Sequence, residues 1–176
     1  VTEAGYDALG DLTHLERLHV RPASGQHVPV GGISKLKQME AVSIYDGVTD
    51  DDLAALSKLT NLVKLEATGS FTDEGAAKLA TLQSLIWLDL RSENVGDETL
   101  KLVPGFKQLA IFRVSGQVSD LGVTSLMAHP ALTEVQLITN MVSNEVVDHL
   151  RESLPMAYFV QSFSTNKYTP TYRLEG

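Results

Sequence analysis

Apolar residues along this chain recur at two spacings that alternate. Between Val48 and Leu65 (VTDDDLAALSKLTNLVKL), Leu53, Leu56 and Leu59 stand three apart; Leu65 and Ala67 then stand two apart. The switch recurs at Ala76, Leu79 and Leu82 followed by Leu88 and Leu90, and at Leu100, Val103 and Phe106 followed by Phe112 and Val114. The first spacing predicts one stripe of an amphipathic helix, and the second a short strand with one buried face. Gly, Ser or Thr follows each strand within a few residues, as a turn requires.

The helix-then-strand unit has a fixed period. Units in the same register start at residues 1, 48, 71, 95, 118 and 142, and from 48 onward the intervals are 23, 24, 23 and 24 residues. The first interval, 47 residues, has room for two units, the second carrying Leu36, Met39, Val42 and Ile44, so the chain reads as about seven units. Thr49, Thr72, Ser119 and Ser143 each precede Asp or Asn at a helix start. Their side-chain oxygens can accept unpaired first-turn amides, worth about 1 kcal/mol each. One such unit cannot bury its own apolar side; copies can do so by stacking, strands parallel on one face and helices on the other.

Several places depart from the pattern. Pro22, Gly25, Pro29, Gly31 and Gly32 oppose a helix in the second unit, where a loop or short tight turn is expected over 22–34. Asn94 and Asn140 lengthen two loops by one residue, and His129 and Ser153 stand where other units carry Leu or Phe. His129, beside Pro130, reads as a histidine tolerated near a loop. Residues 1–162 thus form the repeated region, and 163–176, which carries Tyr168, Tyr172 and Leu174 without repeat register, is expected to fold back as a cap. The opening unit shows no cap of its own, so either more protein precedes Val1 or that end meets a partner, as a monomer or in weak end-to-end association.

Charge and chemistry narrow the function classes. Twenty-two acidic against 14 basic residues give a formal net charge of -8, a field that repels phosphate backbones and anionic lipid, so neither nucleic acid nor membrane is an expected partner. The absence of cysteine removes disulfides, thiolate metal sites and cysteine nucleophiles, and permits either cytoplasm or periplasm. No apolar run approaches the roughly 20 residues of a membrane helix. The five histidines lack the paired spacing of a zinc site, and neither G-x-S-x-G nor a P-loop occurs. Asp50, Asp73, Asp97 and Asp120 could suggest a calcium ladder, but each falls at a helix start, where capping and the helix dipole account for it. No catalytic residue, metal or cofactor is expected.

The units resemble the leucine-rich-repeat superfamily, L-x-x-L-x-x-L-x-L with a convex-side helix, over Val1 to about Ser162. The recurring V-T-D-x-G/L opening is similar to bacterial repeats, planctomycete ones especially, of the ribonuclease-inhibitor-like type. This resemblance implies a right-handed α/β solenoid with a curved parallel sheet on the concave side and helices on the convex side. It also implies a noncatalytic module that binds another protein on the concave face, and it points to an exported, processed domain.

Strand alternation selects the residues on that face. Tyr45, Lys64, Glu66, Trp87, Asp89, Arg91, Arg113, Glu134, Gln136 and Tyr158 are the candidate binding residues. Trp87, the only tryptophan, lies beside arginines, a combination common at interaction hot spots. Glu66, Asp89 and Arg113 should line up across neighbouring strands, flanked by Lys64 and Arg91, which favours a solvated ion-pair ladder over a catalytic carboxylate pair. Two alternatives remain open: a recognition domain of a longer enzyme or receptor, and a carbohydrate or small-ligand binder stacking on Trp87, Tyr45 and Tyr158.

Overall fold

A strand that recurs every 23 or 24 residues finds its natural hydrogen-bonding partner in its own copy one unit later. The computed structural model describes residues 3–23, 26–127, 129–155 and 157–162. Its strands are β1 (Arg17–Val20), β2 (Ala41–Val48), β3 (Lys64–Gly69), β4 (Trp87–Arg91), β5 (Ile111–Ser115), β6 (Glu134–Ile138) and β7 (Tyr158–Ser162). All pair in parallel, in chain order, within one seven-stranded sheet. Leu65 faces Leu88, and Leu88 faces Phe112, so the register across the sheet is the repeat of the sequence. At each strand start one carbonyl accepts two amides from the next unit: Val63 O from Ile86 and Trp87, then Ile86 O from Ala110 and Ile111.

The helices are α1 (Glu3–Leu9), α2 (Asp50–Leu56), α3 (Asp73–Ala77), α4 (Asp97–Leu102), α5 (Asp120–Thr124) and α6 (Asn144–Ser153). Most are short, and α3 and α4 pass directly into 3₁₀ turns at Lys78–Thr81 and Val103–Gly105. This is the physical content of the three-residue spacing. A 3₁₀ turn repeats every three residues, so Leu79 and Leu82, or Val103 and Phe106, point the same way into the core. The seventh unit differs: α6 stays α-helical for ten residues, so Leu154, four after Leu150, is buried in place of Ser153, which is exposed.

Inward-facing residues of the strands, unit openings and helices form one continuous core in which Val42, Ile44, Leu65, Phe71, Leu88, Val95, Phe112 and Val135 are each at most 2% exposed. In the irregular second unit the chain passes without a helix from residue 26 to residue 32, burying Val28 and Val30, and makes a 3₁₀ turn at Ile33–Lys35. The tail 163–176, expected as a cap, lies outside the described residues.

Thr49, Thr72, Ser119 and Ser143 cap their helices as their positions require. The aspartates that follow them act across units. Asp50 accepts from the Thr72 amide at 2.7 Å and its hydroxyl at 2.8 Å; Asp97 accepts from the Ser119 amide and hydroxyl, both at 2.7 Å. Asp73 takes the Gly96 and Thr99 amides, and Asp120 the Ser143 amide. Each carboxylate therefore ties one helix start to the next, correcting the expectation that it serves only its own helix. The glycine of the V-T-D-x-G opening makes room for this: a Cβ on Gly75 would lie 2.1 Å from Asp50 Oδ1, and one on Gly122 2.3 Å from Asp97 Oδ1. In the irregular unit His27 stands 23 residues before Asp50, and its Nε2 contacts Asp52 Oδ2 at 2.9 Å, continuing the ladder with a different residue type.

The lengthened loops share a device as well. Ser92 donates to the Phe71 carbonyl and Thr139 to the Val118 carbonyl, and each accepts the amide two residues on. His129 is not a peripheral loop residue but a core one, 3% exposed. Its Nε2 lies 3.1 Å from the Phe106 carbonyl, and its Nδ1 accepts the Ala131 amide at 3.2 Å. That pairing suits a neutral ring protonated at Nε2. Burial is the main cause holding its pKa below the ordinary 6.5, against the opposing pull of the Phe106 carbonyl.

Two tests follow from these contacts. Asp97→Ala and Gly122→Ala should each destabilise the fold by about 1–3 kcal/mol in denaturant unfolding, the first by orphaning the Ser119 amide, the second by collision. The double substitution should cost clearly less than the sum, because the alanine methyl then occupies the space the carboxylate left; strict additivity would refute the packing account. For His129 the folded pKa lies below the unfolded one, so the unfolded chain takes up the proton first and stability falls as pH drops below about 6.5. His129→Leu should remove that component, and an unchanged acid slope in the variant would contradict it.

Candidate binding surface

Because every strand repeats the same alternation, residues pointing away from the core line up in rows across the sheet. The central row runs Ser43, Glu66, Asp89, Arg113, Gln136 and Val160. Beside it, towards the strand starts, run Ala41, Lys64, Trp87, Ile111, Glu134 and Tyr158. The ten candidate residues thus all fall on one face of the sheet, with Tyr45 and Arg91 in the row nearer the strand exits.

The central row is less exposed than alternation alone suggests. Glu66 is 9% exposed and Asp89 4%, because the longer side chains of the flanking rows close over them. The charges are also paired differently from a straight Glu66–Asp89–Arg113 line. Lys64 Nζ lies 3.2 Å from Glu66 Oε1, and Arg91 grips Asp89 through Nε at 2.9 Å and a terminal nitrogen at 2.8 Å, both pairs within one strand. Arg113 turns the other way, onto Glu134 Oε1 of β6 at 2.9 and 2.6 Å. The ladder is therefore partly buried rather than solvated, which strengthens each pair but also raises its desolvation cost.

Glu66 is the most heavily bonded carboxylate of the face. Ser43 donates to Oε2 at 2.6 Å, Tyr45 donates to the same oxygen at 2.8 Å, and Lys64 holds the other. Burial pushes the Glu66 carboxyl upward, yet the bonds from Ser43, Tyr45 and Lys64 together outweigh it and leave the pKa below the usual 4.5. The Tyr45 phenol moves upward, through burial first and then through its bond to, and the charge of, Glu66.

The aromatic groups are clasped by cations. Lys64 Nζ sits 4.3 Å from the Trp87 ring centroid and Arg113 Cζ 4.6 Å, reaching it from the strands on either side. Trp87 is half-buried in consequence, packed against the side chains of both neighbouring strands. Its indole Nε1 is sealed from solvent and has no hydrogen-bond partner among the described residues. Tyr45 receives Arg21 at 5.2 Å and the His19 ring at 4.8 Å from the β1 side. Gln136 and Glu134 are half-buried, and Tyr158 on β7 is exposed.

The ten candidates omit Ser43, which the repeat places directly opposite Glu66, and Arg17 and His19 of β1, which the register places opposite Ala41 and Ser43, although strand alternation already puts all three in the rows of this face. Arg17, His19, Ser43 and Lys64 line an open depression of about 440 Å³. A second, of about 400 Å³, lies at the strand exits among Thr68, Arg91 and Ser115. Among the described residues no three or more His, Asp or Glu side chains converge as a metal site, and no helix is long and apolar enough to cross a membrane.

One parallel strand and one helix or tight turn per 23 or 24 residues, stacked in chain order into an open sheet, is the leucine-rich-repeat fold, and solved structures agree. The chain is similar to a leucine-rich-repeat protein of Leptospira interrogans, at 16% identity and a TM-score of 0.56 over 88% of this chain and 45% of that one. It is similar also to an internalin of Listeria monocytogenes, at 18% identity and a TM-score of 0.54 over 90% of this chain and 59% of that one. The chain thus spans about half the length of the solved structures it matches. No family model and no curated protein matches the sequence.

The Glu66 cluster yields a direct test. Its folded pKa is lowered, so its contribution to stability is present above the ordinary carboxylate value and is lost as pH falls through the folded value. Glu66→Gln should cost about 1–2 kcal/mol at neutral pH, and the deficit should shrink in acid. A deficit that stays constant from pH 7 to acid would show that the charge is not what matters.

Proposed function

We propose that this chain is a noncatalytic protein-interaction module that engages its partner on the concave face, around Trp87, Arg91 and Arg113. The observation that carries this reading is Trp87 itself. A large aromatic stands in the middle of the sheet, half-buried and held between Lys64 and Arg113. Ordered aromatic and arginine side chains lose little entropy on binding, which is why such residues dominate interface energetics.

The catalytic alternative is disfavoured by the same geometry. Glu66 and Asp89 are occupied by Ser43, Tyr45, Lys64 and Arg91, and Glu66 is held below the ordinary carboxylate range, the wrong direction for a general acid. A carbohydrate platform is disfavoured because Trp87 and Tyr45 already carry cations over their rings.

The test is affinity capture from a lysate of the source organism with the wild-type chain beside Trp87→Ala/Arg113→Glu, after thermal unfolding has shown that the variant folds. Partners retained by the wild type and lost by the variant support the module and its face. Identical partners on both would move the binding surface away from Trp87.

A further inference from the structure

The carboxylates of the two main rows of this face are matched by its own cations: Glu66 by Lys64, Asp89 by Arg91 and Glu134 by Arg113. Two arginines at the β1 end are not: Arg17 on β1 and Arg21 just beyond it, with His19 between them, are exposed and make no ion pair among the described residues. They stand at alternate positions, so they project to one face about 6.6 Å apart along an extended backbone. Arg17 and His19 open onto the depression of about 440 Å³, where Glu40 is the one carboxylate among the lining residues, while Arg21 and His19 lean on Tyr45. A chain of net charge -8 therefore carries an unmatched positive stripe on one end of its concave sheet.

We propose that this stripe docks an acidic, extended segment of a partner protein, one with carboxylates at every second residue. The inference rests on the interaction-module reading and names the partner's chemistry. Charge complementarity selects the sign of the partner, and the two-residue period of β1 matches the side-chain period of an extended peptide. A peptide fits better than a phosphate polymer. The positive stripe is local, and the chain's overall negative charge repels a long polyanion beyond it.

The probes are a short labelled peptide with glutamate at alternate positions, its glutamine counterpart, and a single-stranded oligonucleotide of equal charge, each titrated by fluorescence anisotropy against the full chain at low and physiological salt. The glutamate peptide should bind, weaken with salt and perturb Trp87 emission, and the glutamine peptide should not bind. Arg17→Gln/Arg21→Gln should weaken binding roughly tenfold, the scale of two exposed charge pairs near ~0.7 kcal/mol each. Arg17→Glu/Arg21→Glu should abolish it. Lys58→Glu/Lys78→Glu changes the net charge by the same amount through exposed lysines outside the strands, and it should bind as wild type does. No binding by the wild type, equal binding of the glutamine peptide, equal loss in the lysine control, or tighter binding of the oligonucleotide would each overturn the proposal. A lysate partner captured equally by wild type and Arg17→Gln/Arg21→Gln, but lost by Trp87→Ala/Arg113→Glu, would overturn it while leaving the interaction module intact.

Discussion

No unit of this chain can bury its own apolar side, so the structure depends on lateral contact between each unit and the next. A strand of five or six residues and a helix of similar length expose too much backbone and too many methyl groups to persist alone. Stacking satisfies both deficits together. The strands exchange their backbone hydrogen bonds, and Leu65, Leu88, Phe112 and Val135 fall into one buried column. The same contact joins the helix starts, where Asp50 and Asp97 reach the capping residues Thr72 and Ser119 of the following units. Register is held at two separated lines, the sheet and the aspartate ladder, and a slip in one would break the other.

Fixed register has a consequence for the opposite face. Residues that share an offset in the repeat become neighbours, so a lysine, a tryptophan and an isoleucine that are far apart in sequence stand side by side as Lys64, Trp87 and Ile111. The side chains there have room to choose partners, and Arg113 takes Glu134 rather than Asp89, which Arg91 already holds. The result is a surface whose charges are largely matched from Lys64 to Glu134 and, among the described residues, unmatched at Arg17 and Arg21. In the proposed interaction, such pre-ordering would lower the entropy a partner must overcome, and the unmatched end would set the sign of what it attracts.

The departures from regularity are local and have local causes. His27 replaces an aspartate yet still meets the next unit through Asp52. Ser92 and Thr139 appear where a loop gains a residue, and each bonds the carbonyl that opens its own unit. His129 fits a leucine-like position because both ring nitrogens find backbone partners. Each exception keeps buried polar groups satisfied, the condition under which a solenoid tolerates variation.

Period and alternation by themselves determined the parallel sheet, the rows across it and the membership of the concave face, because both quantities are set by chain geometry and survive any choice of side-chain rotamer. The capping positions were legible for the same reason. What the tertiary structure decided was how the side chains use those places: that the aspartates bridge units, that His129 is core, that Glu66 and Asp89 lie beneath their neighbours, and that Trp87 is clasped by Lys64 and Arg113. These outcomes rest on distances of a few ångströms between residues about 23 positions apart, where several partners compete for one atom, and a linear pattern carries no information on which of them wins.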